Sequence, residues 1–243
     1  VYIFTRSGTT WTFQQKLTAP PAESNLLFGS EIAIQGNTLV VGSPLDQDGD
    51  GSISIYKRVS GIWSLVQSIS NPDLNGADAQ FGTSIAIDQK HLVIGAANYD
   101  SGRGSAYIFN QTGDDQWTLS QKFISPIATY GRQFGISVSI ENDLLLIGEP
   151  DFTNSAWHGG AHLFRLNSAT NVWELEDTIT GQYPNYYGGT DYFGIKVQIQ
   201  DGTLFVAAAN LASSEEYLKS DNDVEIINQN GSVTQFRKED SEW

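Results

Sequence analysis

Residues Asp46-Gln47-Asp48-Gly49-Asp50-Gly51 place three carboxylates at alternate positions and a glycine at the sixth. Alternating carboxylates can wrap one hard cation, and a glycine there permits the sharp turn a calcium loop needs. An EF-hand would also need an acid at the twelfth position, where this chain has Lys57, so the run is not an EF-hand. Two readings stay open: Asp46, Asp48 and Asp50 hold calcium weakly, or the run is a polar, glycine-rich turn.

A second segment, Gly181 to Tyr192, carries Tyr183, Tyr186, Tyr187 and Tyr192 on a flexible glycine-rich frame. Tyrosine offers large contact area at low entropic cost and suits recognition of a protein or a glycan. Trp157 and His158 belong to another loop that could face the same side. The alternative is that the tyrosine rings pack on a neighbouring element. His158 and His162 lie four apart, but no third zinc ligand is in view. No Gly-x-Ser-x-Gly elbow is present, and nothing positions the adjacent Glu215 and Glu216 for acid–base work, so no enzyme is expected. Asn110-Gln111-Thr112 and Asn230-Gly231-Ser232 match the short glycosylation acceptor pattern.

Composition narrows the setting. A net charge of −15 over 243 residues argues against nucleic acid, whose phosphates need Lys and Arg, and favours cations or basic partners. Acidity that merely keeps a secreted protein soluble is the plainer account of the same number. There is no Cys, which removes disulfides and thiol chemistry. No apolar run approaches the roughly 20 residues of a membrane helix. The chain has no Met and opens on Val1 inside a strand-like run, which suggests a processed chain or a piece of a longer one.

The elements that must position these residues follow from an internal repeat. Phe-Gly recurs at Phe28-Gly29, Phe81-Gly82, Phe134-Gly135 and Phe193-Gly194, at spacings of 53, 53 and 59. Thirteen residues after each Phe stands a second marker: Val41-Gly42, Ile94-Gly95, Ile147-Gly148 and the altered Val206-Ala207. A strand-like run ending in an aromatic follows, as in Ile53-Ser54-Ile55-Tyr56 and Ala106-Tyr107-Ile108-Phe109, and then a Trp: Trp11, Trp63, Trp117, Trp173 and Trp243. Each period thus holds four short apolar runs with no 3.6-residue periodicity, the pattern of a four-stranded propeller blade. The periods run about 1–52, 53–105, 106–160 and 161–232, with a partial one at 233–243.

These residues resemble the FG-GAP repeat, the blade of integrin α-subunit propellers and of many bacterial surface proteins. The resemblance implies an all-β propeller of four-stranded antiparallel blades, about four of them full, forming part of a seven-bladed ring. It also implies an extracellular or cell-surface setting. The integrin-type calcium loop would lie in the turn between the first two strands, where this chain is short and lacks the carboxylate series.

With strands lettered A to D from Phe-Gly, a meander puts the B–C and D–A loops at one end and the A–B turns at the other. Turns such as Gln35-Gly36-Asn37-Thr38 and Gln200-Asp201-Gly202-Thr203 have hairpin chemistry, so that end looks structural. The B–C and D–A loops hold 15 of the 28 acids and only Arg103, Arg132 and Lys219 as fixed cations, which concentrates the negative charge at one end. The resulting expectation is an adhesion or recognition module that binds a protein or glycan through that end. The alternatives are a structural block completed by other chains, and a propeller-type polysaccharide lyase or hydrolase.

Overall fold

The computed structural model describes residues 1–19, 26–73, 78–113, 115–127, 130–152, 159–181, 192–209 and 232–236. A hairpin comes first, made of β1 (Tyr2–Ser7) and β2 (Thr10–Lys16). Blade 1 holds β3 (Ile32–Gln35), β4 (Thr38–Ser43), β5 (Ser52–Val59) and β6 (Ile62–Ser70). Blade 2 holds β7 (Phe81–Asp88), β8 (His91–Ala96), β9 (Ser105–Gly113) and β10 (Gln116–Ile124). Blade 3 holds β11 (Val138–Glu141), β12 (Leu144–Glu149), β13 (Gly160–Asn167) and β14 (Val172–Thr180). Strands β15 (Lys196–Gln200), β16 (Thr203–Ala208) and β17 (Ser232–Phe236) form blade 4. Every sheet is an antiparallel meander, the blade architecture expected from the repeat, and blades 1 to 3 have all four strands. Each sheet starts at or just after Phe-Gly, so a period counted from strand C straddles two sheets.

The two glycine markers meet across the blades. A Cβ on Gly95 would lie 1.9 Å from the Gly135 carbonyl oxygen, and one on Gly148 would lie 2.1 Å from that of Gly194. The second marker of one blade is therefore glycine because the Phe-Gly backbone of the next blade lies against it. The residue before Phe-Gly is also unusual: Leu27, Gln80, Gln133 and Tyr192 all have φ between 51° and 56°. The carbonyl of each accepts a bond from the amide three residues on, closing a turn that aims the following strand.

Between blades lie apolar clusters shared by successive sheets. Val40, Ile53 and Ile55 of blade 1 meet Phe81, Leu92 and Tyr107 of blade 2. Ile108 and Phe123 meet Phe134, Leu145 and Trp173, and Leu146 and Leu163 meet Phe193 and Val206. Burial of each large side chain stabilises by about 1.5–3 kcal/mol. Phe81 and Phe134 are fully buried and Trp63, Trp117 and Trp173 are 3–4% exposed, in line with the core role expected of the Phe and Trp markers. Trp11 on the first hairpin is 64% exposed.

The A–B end is tied together by carboxylates. Asp88 of blade 2 accepts from the Asn142 amide of blade 3 at 2.5 Å and from Gln35 Nε2 of blade 1 at 3.2 Å. Glu141 of blade 3 accepts from the Asp201 and Gly202 amides of blade 4 at 2.9 and 2.8 Å. These acids satisfy turn amides, so their charge is spent inside the scaffold.

Candidate functional site

At the opposite end the B–C loop of each blade is bonded to the Phe-Gly turn of the next. The Gln80 and Phe81 amides donate to the Gly49 and Asp50 carbonyls at 2.9 and 3.0 Å. The Gln133 and Phe134 amides repeat this on Gly102 and Arg103 at 2.8 and 3.1 Å. Single parallel bridges join Gly51 to Phe81, Gly104 to Phe134 and Gly159 to Phe193. The B–C and D–A segments therefore meet at one end on fixed backbone.

The acidic run occupies the first of these loops. Asp46 Oδ1 accepts from the Gln47 amide at 2.9 Å and its Oδ2 from Ser52 Oγ at 2.5 Å, so this carboxylate caps the 3-10 turn Gln47–Gly49. Asp48 is exposed, at φ 58°, and Asp50 lends its carbonyl to Phe81. Among the described residues no three His, Asp or Glu side chains converge on a common point that could hold a metal ion. The loop of blade 2 takes the same shape 53 residues on. Asp100 and Ser101 have φ of 49° and 60°, against 52° and 58° at Gln47 and Asp48. There Tyr99, Ser101 and Arg103 stand where blade 1 has Asp46, Asp48 and Asp50, so the shape does not depend on the carboxylates.

Behind the loops one position on strand C varies from blade to blade. Cross-strand pairs are Ser54 with Ser68 in blade 1, Tyr107 with Lys122 in blade 2 and His162 with Thr178 in blade 3. Tyr107 and His162 both pack on the Phe of their own Phe-Gly, at ring separations of 5.5 and 5.4 Å. In blade 2 the Tyr107 hydroxyl donates to Asp73 at 2.7 Å, and Lys122 pairs with the same carboxylate. Partial burial opposes the charge on Asp73, but the bonds from Lys122 and Tyr107 outweigh it and hold the carboxyl below its usual value. Burial likewise opposes the charge on Lys122, and its bond to Asp73 prevails, raising the amine. Burial pushes the Tyr107 hydroxyl well up.

In blade 3, His162 Nε2 lies 2.5 Å from Glu149 Oε2, Ser125 Oγ donates to Glu149 Oε1 at 2.6 Å, and His162 Nδ1 lies 3.1 Å from Thr178 Oγ1. An imidazole against a carboxylate is a pairing acid–base catalysis uses. Both side chains here are fully buried, so no external substrate reaches them and the network serves packing.

Aromatic side chains crown the loops of blades 2 and 3. Tyr130 is 56% exposed, with the Arg103 guanidinium 4.1 Å from its ring centre. Phe152 is 41% exposed and stacks on Tyr192 at 4.7 Å. The Phe152 amide donates to the Gly131 carbonyl at 3.3 Å, which links the two segments. Beneath them the buried Arg132 and Asp151 form an ion pair at 4.0 Å. Along both segments the outward residue is aromatic and the inward one charged.

Comparison with known families agrees with the geometry. A family model described as FG-GAP repeat matches residues 11–56 and 63–109. Two stretches of the chain thus match the FG-GAP repeat. Among curated proteins no match was found. No helix among the described residues is long and apolar enough to cross a membrane.

Of the residues expected to bind, Tyr192 is half-buried against Phe152, while Tyr183, Tyr186, Tyr187, Trp157 and His158 lie outside the described residues. Sequence reading missed Gln15, Gln67 and Gln121. Gln15 Nε2 donates to the Trp63 carbonyl at 2.8 Å, and its Oε1 accepts from the Trp63 amide at 3.0 Å. Gln67 grips Trp117 and Gln121 grips Trp173 in the same way. The signal was available: each glutamine stands four residues after a repeat Trp, at Trp11, Trp63 and Trp117.

Proposed function

We propose that this FG-GAP chain is an extracellular, non-catalytic recognition module that binds a protein or glycan through the B–C and D–A loop end. The observation that carries the reading is the contrast between the two ends. At the A–B end the acids Asp88 and Glu141 are consumed by turn amides. At the loop end, exposed Tyr130 and Phe152 stand on backbone already cross-bonded between blades. A rigid base under exposed aromatics lowers the entropic cost of binding. The reading extends to Tyr183, Tyr186, Tyr187, Trp157 and His158, which belong to the same loops by sequence.

The test is a double substitution, Tyr186→Ser with Tyr187→Ser, assayed on glycan arrays and on immobilised extracellular proteins. Recognition through this segment predicts lost binding with a melting temperature shifted by less than about 2 °C. A variant that melts several degrees earlier would show that the segment is a structural cover, and the reading would fail for it.

A further inference from the structure

We propose that the stacked pair Phe152–Tyr192, continued by Tyr130, receives a cationic side chain from a Lys- or Arg-bearing polypeptide partner. The inference rests on loop-end recognition and adds the chemistry of the partner.

The repeat itself supplies the argument. Tyr99 and Phe152 hold equivalent places, each four residues after the second glycine marker, Gly95 and Gly148. In blade 2 the ring at this place carries a cation from the chain: Lys122 Nζ lies 3.8 Å from the Tyr99 ring centre. The neighbouring Tyr130 carries another, Arg103 at 4.1 Å. Rings of this band therefore bind Lys and Arg within the molecule, through the attraction of a cation to an aromatic face. In blade 3 the strand D residue equivalent to Lys122 is Thr178, as the pairings Tyr107 with Lys122 and His162 with Thr178 show. The internal cation is thus replaced by a hydroxyl. Among the described residues no Lys or Arg lies over Phe152 or Tyr192. Arg132 is buried beside Asp151, and Lys196, four residues after Tyr192, lies over neither ring. Blade 3 has kept the aromatic place and lost its resident cation, which leaves the ring face to a cation from outside.

Three further features fit a basic polypeptide. By sequence, the segments assigned to the B–C and D–A loops hold 15 acids against three fixed cations, a balance that steers positive groups toward them. The Arg132–Asp151 pair and the Phe152 to Gly131 backbone bond brace the aromatic pair from below, so little ordering remains for binding to supply. In blade 2 the corresponding positions are the neutral Ala79 and Asn98, so this charged brace is peculiar to the place where the ring lacks a cation.

The experiment titrates the intact chain with a fluorescent nine-residue peptide of alternating Gly and Arg, and with its citrulline counterpart, which keeps the shape and removes the charge. The Arg peptide is expected to bind with affinity falling as salt rises, and the citrulline peptide to bind at least about tenfold more weakly. Phe152→Leu should weaken the Arg peptide about fivefold, and Phe152→Tyr should restore it. Equal binding of the two peptides, no binding of either, or a Phe152→Leu variant of unchanged affinity overturns the proposal. Peptide binding abolished by the Tyr186→Ser, Tyr187→Ser double substitution but indifferent to Phe152→Leu overturns it while leaving loop-end recognition standing.

Discussion

Gly95 has no room for a methyl group, because the nearest obstacle is the Gly135 carbonyl, which belongs to backbone and cannot swing aside. Gly95→Ala should therefore destabilise by about 3 kcal/mol, read as a lower urea midpoint, while Gly113→Ala, whose new Cβ meets nothing closer than 4.0 Å, should change it little. The Asp73 carboxyl lies below its ordinary value in the fold, so its stabilising contribution is complete above about pH 4 and is lost as pH falls through the depressed value. Asp73→Asn should accordingly flatten the acid limb of the stability profile and leave its slope above pH 5 unchanged. At this scale the sequence was informative where a residue type was itself the signal. The paired glycines recur because only glycine fits. The strained residue before each Phe-Gly was invisible: Leu27, Gln80, Gln133 and Tyr192 share a backbone angle and no side-chain chemistry.

Strand pairing explains what the glutamines do. Each complete C–D pair shifts register at the same point, between Ile55 and Tyr56 in blade 1, opposite Leu119 to Gln121 in blade 2, and between Leu163 and Phe164 in blade 3. The extra strand D residue is Val66, Ser120 or Glu176, and the residue after it is Gln67, Gln121 or Asp177. A bulge re-aims the side chain next to it, and here it turns the glutamine toward the next blade. Gln67→Ala leaves the Trp117 amide and carbonyl without this partner and should cost about 1–3 kcal/mol in thermal or urea unfolding. Gln67→Glu keeps the acceptor and, while protonated, a hydroxyl donor, so its cost should fall between wild type and Gln67→Ala at low pH and increase as ionisation removes the donor and sets a carboxylate against the carbonyl. The four strands of each blade were legible from short apolar runs and turn residues. The bulge was not, because one surplus residue in a half-exposed strand leaves no mark on hydrophobic alternation.

The whole molecule sets the A–B turns at one end against the B–C and D–A loops, proposed for recognition, at the other, and strand order alone was enough to assign loops to each. Which loop residues converge was less legible. The Asp46–Gly51 run drew attention as a series of carboxylates, yet blade 2 builds the same turn from Tyr99, Ser101 and Arg103. Phe152 drew none, since an isolated phenylalanine in a loop acquires meaning only from Tyr192, distant in sequence and stacked upon it.

The glutamine grips also bear on how the molecule carries mechanical load. Each is a paired fastening between one blade and the next, and blades joined in series share a pulling force as links share it. At the fourth position of the pattern Asp177 replaces glutamine, and a carboxylate can accept a hydrogen bond but cannot donate one. Asp177 accepts instead from the Thr178 amide at 2.7 Å, so among the described residues the link beyond blade 3 lacks this fastening. Stretched between its termini in optical tweezers, the chain should yield there first, at a lower force than the links held by Gln67 and Gln121, and Asp177→Gln should raise that first rupture force. A chain that yields first at an earlier link would show that apolar packing, and not the fastening, sets the order of failure.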